Sequence, residues 1–131
     1  MIDIHSHILP GIDDGARSLE EARELASQTL ADGVTVIVAT PHVRSDFPTT
    51  PERMEMGVAE LRADLARTGI ELEVVHGGEI ALERLGDLDA DELRRFSLGQ
   101  TGRYVLLECP YFSSPLELVP AIKALREARD A

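Results

Sequence analysis

Three observations predict an α/β fold built from parallel (β/α) units. Short β-branched, apolar runs alternate with amphipathic segments, caps and glycines punctuate them, and a histidine or carboxylate follows each apolar run. The order reads βαβαβαβα, which calls for parallel strands and right-handed crossovers, in an open sheet or in part of a barrel.

Each element has its own signal. Residues 2–5 form the first strand. Ser18, Leu19, Glu20 and Glu21 read as a capping box opening a helix that continues to Asp32 and stops at Gly33. Residues 34–39 are apolar and β-branched, as a strand buried on both faces requires. A polar loop covers residues 41–50. Thr50 and Pro51 then start a helix that reaches Thr68 and is closed by Gly69. Residues 70–75 make a third strand, 89–95 a short helix, 104–108 a fourth strand and 115–129 a last amphipathic helix. No internal repeat, low-complexity tract or linker interrupts the series.

Bulk properties narrow the function classes. A chain of 131 residues is at most one domain, and 44% hydrophobic residues are enough for a core. The net charge of −11 argues against general affinity for nucleic acid or anionic membranes. No apolar run approaches the ~20 residues of a membrane span, and no basic-then-apolar leader opens the chain. The single cysteine, Cys109, excludes an internal disulfide framework, fits a reducing cytoplasm and reads as a small apolar filler. Four strands cannot close a (β/α) barrel, which typically has eight strands and ~250 residues. The last helix also runs to Arg129-Asp130-Ala131 without a stop signal. The expectation is half a domain, with the remainder supplied by further chain or by partners.

The candidate chemistry sits at the strand ends. In an extended segment, side chains two apart share a face, so His5 and His7 converge and can chelate a divalent metal. Asp13 and Asp14 follow in Asp-Asp-Gly; one can act as a ligand while the other supports the turn. His42 follows the second strand, Glu79 the third, and Glu108 ends the fourth. Parallel α/β folds place active sites at this C-terminal edge. His76 reads as a packed histidine rather than a ligand. Arg44 is either a contact for an anionic substrate or a solvated loop arginine. A cysteine-phosphatase reading fails because Pro115 stands where the phosphate-cradling arginine would be, six residues after Cys109. No Walker or Gly-x-Gly-x-x-Gly sequence is present. Clustered histidines and carboxylates indicate hydrolysis by a metal-activated water.

The residues Met1-Ile2-Asp3-Ile4-His5-Ser6-His7-Ile8, Asp13-Asp14-Gly15, Thr40-Pro41-His42 and Gly77-Gly78-Glu79-Ile80 resemble the polymerase-and-histidinol-phosphatase (PHP) family. Within it they are most similar to the CpsB/YwqE-like, manganese-dependent protein tyrosine phosphatases of bacterial capsule and exopolysaccharide systems. The similarity runs on through Arg103 to Glu108. It implies that residues 1–131 are the N-terminal half of a distorted TIM-like (PHP) barrel whose C-terminal part is missing.

It also implies His5, His7, Asp14, His42, Glu79 and Glu108 as ligands, with Asp14, His42 and Arg44 as catalytic candidates. The complete domain would hold up to three divalent ions, Mn²⁺ first, with Fe²⁺ or Zn²⁺ as alternatives. A later His-Pro-Glu-Arg-like segment and a late Asp-x-His segment, which complete the family's centre, are absent. The implied substrate is a phosphotyrosine protein such as a bacterial tyrosine kinase. Two other functions fit the same ligands: a histidinol phosphatase, and a non-catalytic metal-binding half-barrel. An incomplete barrel leaves strand edges uncovered, so a homo-oligomer is a further expectation.

Overall fold

A computed structural model describes residues 1–110 and 118–130. Its elements are β1 (Ile2–Asp3), α1 (Leu19–Ala31), β2 (Val36–Val38), β3 (His42–Val43), α2 (Pro51–Thr68), β4 (Glu73–Val75), β5 (Glu79–Ala81), α3 (Ala90–Phe96), β6 (Leu106–Glu108) and α4 (Leu118–Asp130). Two 3-10 turns, Leu82–Asp87 and Leu98–Gln100, flank α3.

The mixed α/β class and the parallel strands are as expected, but the strand pattern differs. The strands form two three-stranded parallel sheets, ordered β1-β2-β4 and β3-β5-β6. The second and third predicted strands are shorter than expected, each starting late, and beyond each a further strand begins after three residues. β3 therefore occupies the expected loop at 41–50, and Glu79 opens a strand instead of lying beyond one. Both breaks have the same length, so the register survives them: Val36 faces Glu73 in one sheet and His42 faces Glu79 in the other, with the same residue offset. Hydrogen bonds from Ala39 N to Val75 O (2.8 Å) and from Glu79 N to Pro41 O (2.9 Å) carry the pairing through the bend. Glycine is required there for space. A Cβ on Gly77 would lie 2.9 Å from Val38 Cγ1, and one on Gly78 2.7 Å from Phe96 Cδ1.

The helices follow their caps. α2 has the predicted limits: Thr50 Oγ1 accepts from Arg53 N at 3.1 Å, Pro51 occupies the first turn, and Gly69 ends the helix at φ 75°. Its Met54, Val58, Leu61 and Leu65 repeat at helical spacing and are fully buried against the sheet. Each such side chain contributes roughly 1.5–3 kcal/mol by leaving water. At α1 only half of the predicted capping box forms. Ser18 accepts from Glu21 N, but the Glu21 carboxylate turns to Arg17 Nε at 3.1 Å. The reciprocal box occurs at α3, between Asp89 and Glu92. Residues 115–117 of the last predicted helix lie outside the described residues. Cys109 is exposed, so it fills no core. Its position just after β6, at the end of an edge strand, takes it away from the packed layer.

Candidate metal centre

The bend between the two sheets determines which side chains meet. His5 and His7 leave the end of β1, while His42 and Glu79 begin β3 and β5 as paired residues. Ala81, two residues beyond Glu79 on the same face of β5, pairs with Glu108 of β6. His42, Glu79 and Glu108 thus share one face, with the His5–His7 segment against it.

Glu79 is the hub. Its Oε2 lies 3.4 Å from His5 Nε2, and its Oε1 lies 3.2 Å from His7 Nε2 and 3.1 Å from His42 Nδ1. His42 Nδ1 also stands 3.3 Å from Glu108 Oε2, and its Nε2 3.2 Å from Asp14 Oδ1. The His7 and His42 rings stack with centroids 4.4 Å apart. Three groups of potential ligand atoms result: His7, Asp13, Asp14 and His42; His5, His7 and Glu79; and His42, Glu79 and Glu108. All six residues expected as ligands are therefore in this one cluster.

The cluster fits a metal on physical grounds. Atoms held at roughly 2.0–2.2 Å around a tetrahedral or octahedral ion stand about 3.0–3.5 Å from one another, and the distances here fall in that range. Glu79 Oε1 and His42 Nδ1 are buried and, although near other polar atoms, make no hydrogen bond. Buried polar atoms are rarely left so, and a cation at their point of convergence would satisfy both.

Asp13 and Asp14 behave differently despite their adjacency. The Asp14 side chain is 58% exposed and faces His42. The Asp13 side chain is fully buried: Oδ1 accepts from Gly15 N at 3.0 Å, and Oδ2 lies 3.0 Å from both His42 N and His7 Nδ1. Burial alone would raise the Asp13 pKa, but the bonds from His7, His42 N and Gly15 N outweigh it and hold the carboxyl below its usual range. The same His7–Asp13 bond lifts His7 above an ordinary imidazole, against the effect of burial.

Arg44 is neither free nor merely solvated. It forms a fork with Asp46 (2.6 and 3.0 Å) and reaches Glu108 Oε1 at 2.9 Å. Those two carboxylates, Asp46 first, raise its pKa further. Phe47 lies beside it, 5.8 Å from the His42 ring and 5.6 Å from the Arg44 guanidinium carbon. His76 is in none of the ligand groups, and burial followed by Arg62 depresses its pKa. That matches a packed histidine.

Sequence reasoning missed Ser6 and Thr40. Ser6 N donates to Thr40 Oγ1 at 3.0 Å, Thr40 Oγ1 donates to Ser6 O at 3.1 Å, and Ser6 Oγ donates to Val38 O at 2.7 Å. These bonds fix the His5–His7 segment to the strand leading to His42. Strand alternation already placed Ser6 opposite the two histidines, whereas nothing local marked Thr40 or Phe47.

The chain is similar to known proteins over most of its length. The family model for capsular polysaccharide synthesis, CpsB/CapC, matches residues 1–128. The chain is 35% identical over 118 residues to the tyrosine-protein phosphatase YwqE of Bacillus subtilis strain 168, covering 88% of this chain and 45% of that protein. It is 34% identical over 111 residues to the tyrosine-protein phosphatase CpsB of Streptococcus pneumoniae, covering 82% and 44%. It also superposes, with a TM-score of 0.83 and 31% identity, on a chain from the crystal structures of YwqE and CpsB, described as unique metal-dependent tyrosine phosphatases. That match covers 97% of this chain and 51% of the other. The chain spans about half the length of the relatives it matches.

Proposed function

The chain belongs to the CpsB/CapC family of capsular polysaccharide synthesis, and on that premise we propose that it forms the N-terminal part of a metal-dependent protein tyrosine phosphatase. Residues 1–131 would be one half of a distorted (β/α) barrel domain. The observation that carries the reading is Glu79, a buried carboxylate with an unsatisfied oxygen, set among three imidazoles. His5, His7, Asp14, His42, Glu79 and Glu108 would hold up to three divalent ions in the whole domain, Mn²⁺ first, with Fe²⁺ and Zn²⁺ compatible with the same donors. When bound, such ions lower the pKa of a coordinated water and offset charge on a phosphoryl group.

The chain's own residues have distinct tasks. His5 presents an imidazole nitrogen to Glu79 Oε2, His7 and His42 present theirs to Oε1, and the Glu108 carboxylate lies beyond His42, so Glu79, shared by these groups, would set the spacing between two ions. Asp14 and His42 form a further edge of the site, with Asp14 open to substrate. Arg44, held by Asp46 and Glu108, keeps a guanidinium beside the centre, where it can exchange a carboxylate for a phosphate oxygen. Ser6, Thr40 and Gly15 hold the backbone on which these groups stand.

The substrate would be phosphotyrosine on a protein, such as a bacterial tyrosine kinase of a capsule or exopolysaccharide system. The site would act in the cytoplasm, and uncovered strand edges favour a homo-oligomer. Among the described residues, no helix is long and apolar enough to cross a membrane.

The first test is elemental mass spectrometry of bound metal per chain, on protein purified without chelator. One or more Mn, Fe or Zn per chain is expected. In a protein of the relatives' length, His5→Ala and Glu79→Ala should lose metal and phosphotyrosine hydrolysis together. Full activity with normal metal content in both variants would refute the assignment. A preference for histidinol phosphate over phosphotyrosine peptides would move the protein to a different phosphoesterase class with the same ligands. Metal binding without turnover would leave a non-catalytic metal-binding module.

A further inference from the structure

Resting on the metal-centre reading above, we infer that Asp13 is a positioning residue that fixes the tautomer of His7 and the backbone of His42 before any ion binds. Asp13 and Asp14 are adjacent and chemically identical, yet only Asp13 is sealed from solvent. Both of its oxygens are committed to N–H donors. Gly15 N and His42 N are backbone amides, which can only donate, and they meet Oδ1 and Oδ2 at 3.0 Å. His7 Nδ1 lies 3.0 Å from the same Oδ2. An unprotonated Nδ1 would set two lone pairs against each other, so the neutral ring carries its proton on Nδ1. Its lone pair is then on Nε2, which lies 3.2 Å from Glu79 Oε1 without hydrogen-bond geometry, so only the Nδ1 contact with Asp13 selects the proton's place.

The arrangement has a sequence-level cause. Gly15 packs against the His7 backbone so closely that a Cβ there would lie 2.1 Å from His7 O. Ala16 N donates to His7 O at 3.1 Å. This folds the 13–16 turn back on His7 and delivers the Asp13 carboxylate to both histidines. Asp14, one residue on, stays exposed and faces His42 Nε2. A carboxylate behind a ligating imidazole orients the ring and raises its basicity, and losing such a partner typically costs about 10–100-fold in metal affinity.

Asp13→Ala and Asp13→Asn separate this role from direct ligation. Asparagine can keep its amide oxygen at the Oδ2 position, still accepting from His42 N and His7 Nδ1–H and losing only the bond from Gly15 N, whereas alanine loses all three. The experiment measures Zn²⁺ affinity of the 131-residue chain by chelator competition. It also reads the His7 tautomer in the metal-free chain by long-range ¹⁵N–¹H correlation, at a pH where the imidazoles are neutral. The expected result is the Nδ1–H form in the parent chain and in Asp13→Asn, with Zn²⁺ affinity for the latter between the parent's and that of Asp13→Ala. Asp13→Ala should lose the tautomer preference and bind Zn²⁺ about 10–100-fold more weakly.

Equal losses in both variants with an unchanged His7 tautomer would make Asp13 a ligand and overturn the inference. So would parent-like affinity in Asp13→Ala. If Asp13→Ala does not fold, the parent tautomer decides: Nε2–H on His7 in the parent chain overturns the proposal by itself. Failure of the parent chain to bind Zn²⁺ would instead count against the metal centre, and the tautomer reading would still stand or fall separately.

Discussion

Two sets of charged residues in this molecule are built on opposite plans. On the helical side, carboxylates are closed off by arginines. Asp64 accepts a fork from Arg23 (2.8 and 2.8 Å) and a further bond from Arg67 (2.6 Å), joining α1 to α2. Arg95 of α3 reaches Glu52 at 2.9 Å and Glu55 at 3.1 Å on α2, and Gln100 also donates to Glu55. At the strand ends, Asp13, Asp14, Glu79 and Glu108 face three imidazoles and Arg44, and two buried atoms there make no hydrogen bond. The first plan satisfies charge within the chain and stabilises helix packing. The second leaves charge to be satisfied by something the chain does not contain, which is how a binding site differs from a structural clasp.

Substitutions of opposite character should break the comparison or sharpen it. The largest effect is expected from Glu79→Gln. Metal affinity should fall by more than the about 10–100-fold that outer partners of a metal site cost, while the melting temperature of the metal-free chain rises. That rise follows because a buried carboxylate with an unsatisfied oxygen is neutralised close to Glu108. Calorimetry with and without metal reads both quantities, and a fall in metal-free stability would place Glu79 among the structural clasps. Asp64→Ala should do the reverse, lowering the melting temperature by several degrees and leaving metal affinity at the parent value.

Thr40→Val tests the junction between the two plans. It strands the Ser6 N–H, at a cost of about 1–3 kcal/mol in denaturant unfolding. It should also weaken metal binding, because the His5–His7 segment loses the two Thr40 hydroxyl bonds that help tie it to the strand leading to His42, whereas Thr40→Ser should keep most of both.

The smallest effect is acid sensitivity. The Arg23 fork, helped by Arg67, holds Asp64 down to about 2 from an ordinary 3.8. A depressed carboxyl contributes stability that is complete above the ordinary value and is lost as pH falls towards the depressed one. The metal-free chain should therefore lose part of its melting temperature between those two pH values. Asp64→Ala should flatten that part of the profile.

Some of this was readable in order along the chain. α2 is bounded where Thr50, Pro51 and Gly69 say it is, because caps and helical periodicity act within a few residues. The six expected ligands were readable as residue types following apolar runs, and His76 as a packed residue. That strand resumes at His42 and at Glu79, beyond Ala39-Thr40-Pro41 and His76-Gly77-Gly78, was not readable, since two or three residues carry too little strand signal in themselves. β3 is two residues long and exists because β5 pairs with it in register. The capping box was placed at the wrong helix, because Arg17 drew Glu21 away, and Cys109 was placed in a core that does not extend to the end of β6.

By itself, then, the sequence determined where the four helices and four of the strands lie, that the strands run parallel, and which residue types stand near their ends. Only the tertiary structure decided that the strands divide into two sheets with a shared register, that His42 and Glu79 are opposite neighbours, and that Asp13 is sealed while Asp14 is open. The physical reason is range. Helices and caps are set by interactions between residues a few positions apart. The site is set by pairing across distant segments and by the close approach of Gly15, Gly77 and Gly78 to neighbouring side chains and backbone, which exists only once the whole layer has packed.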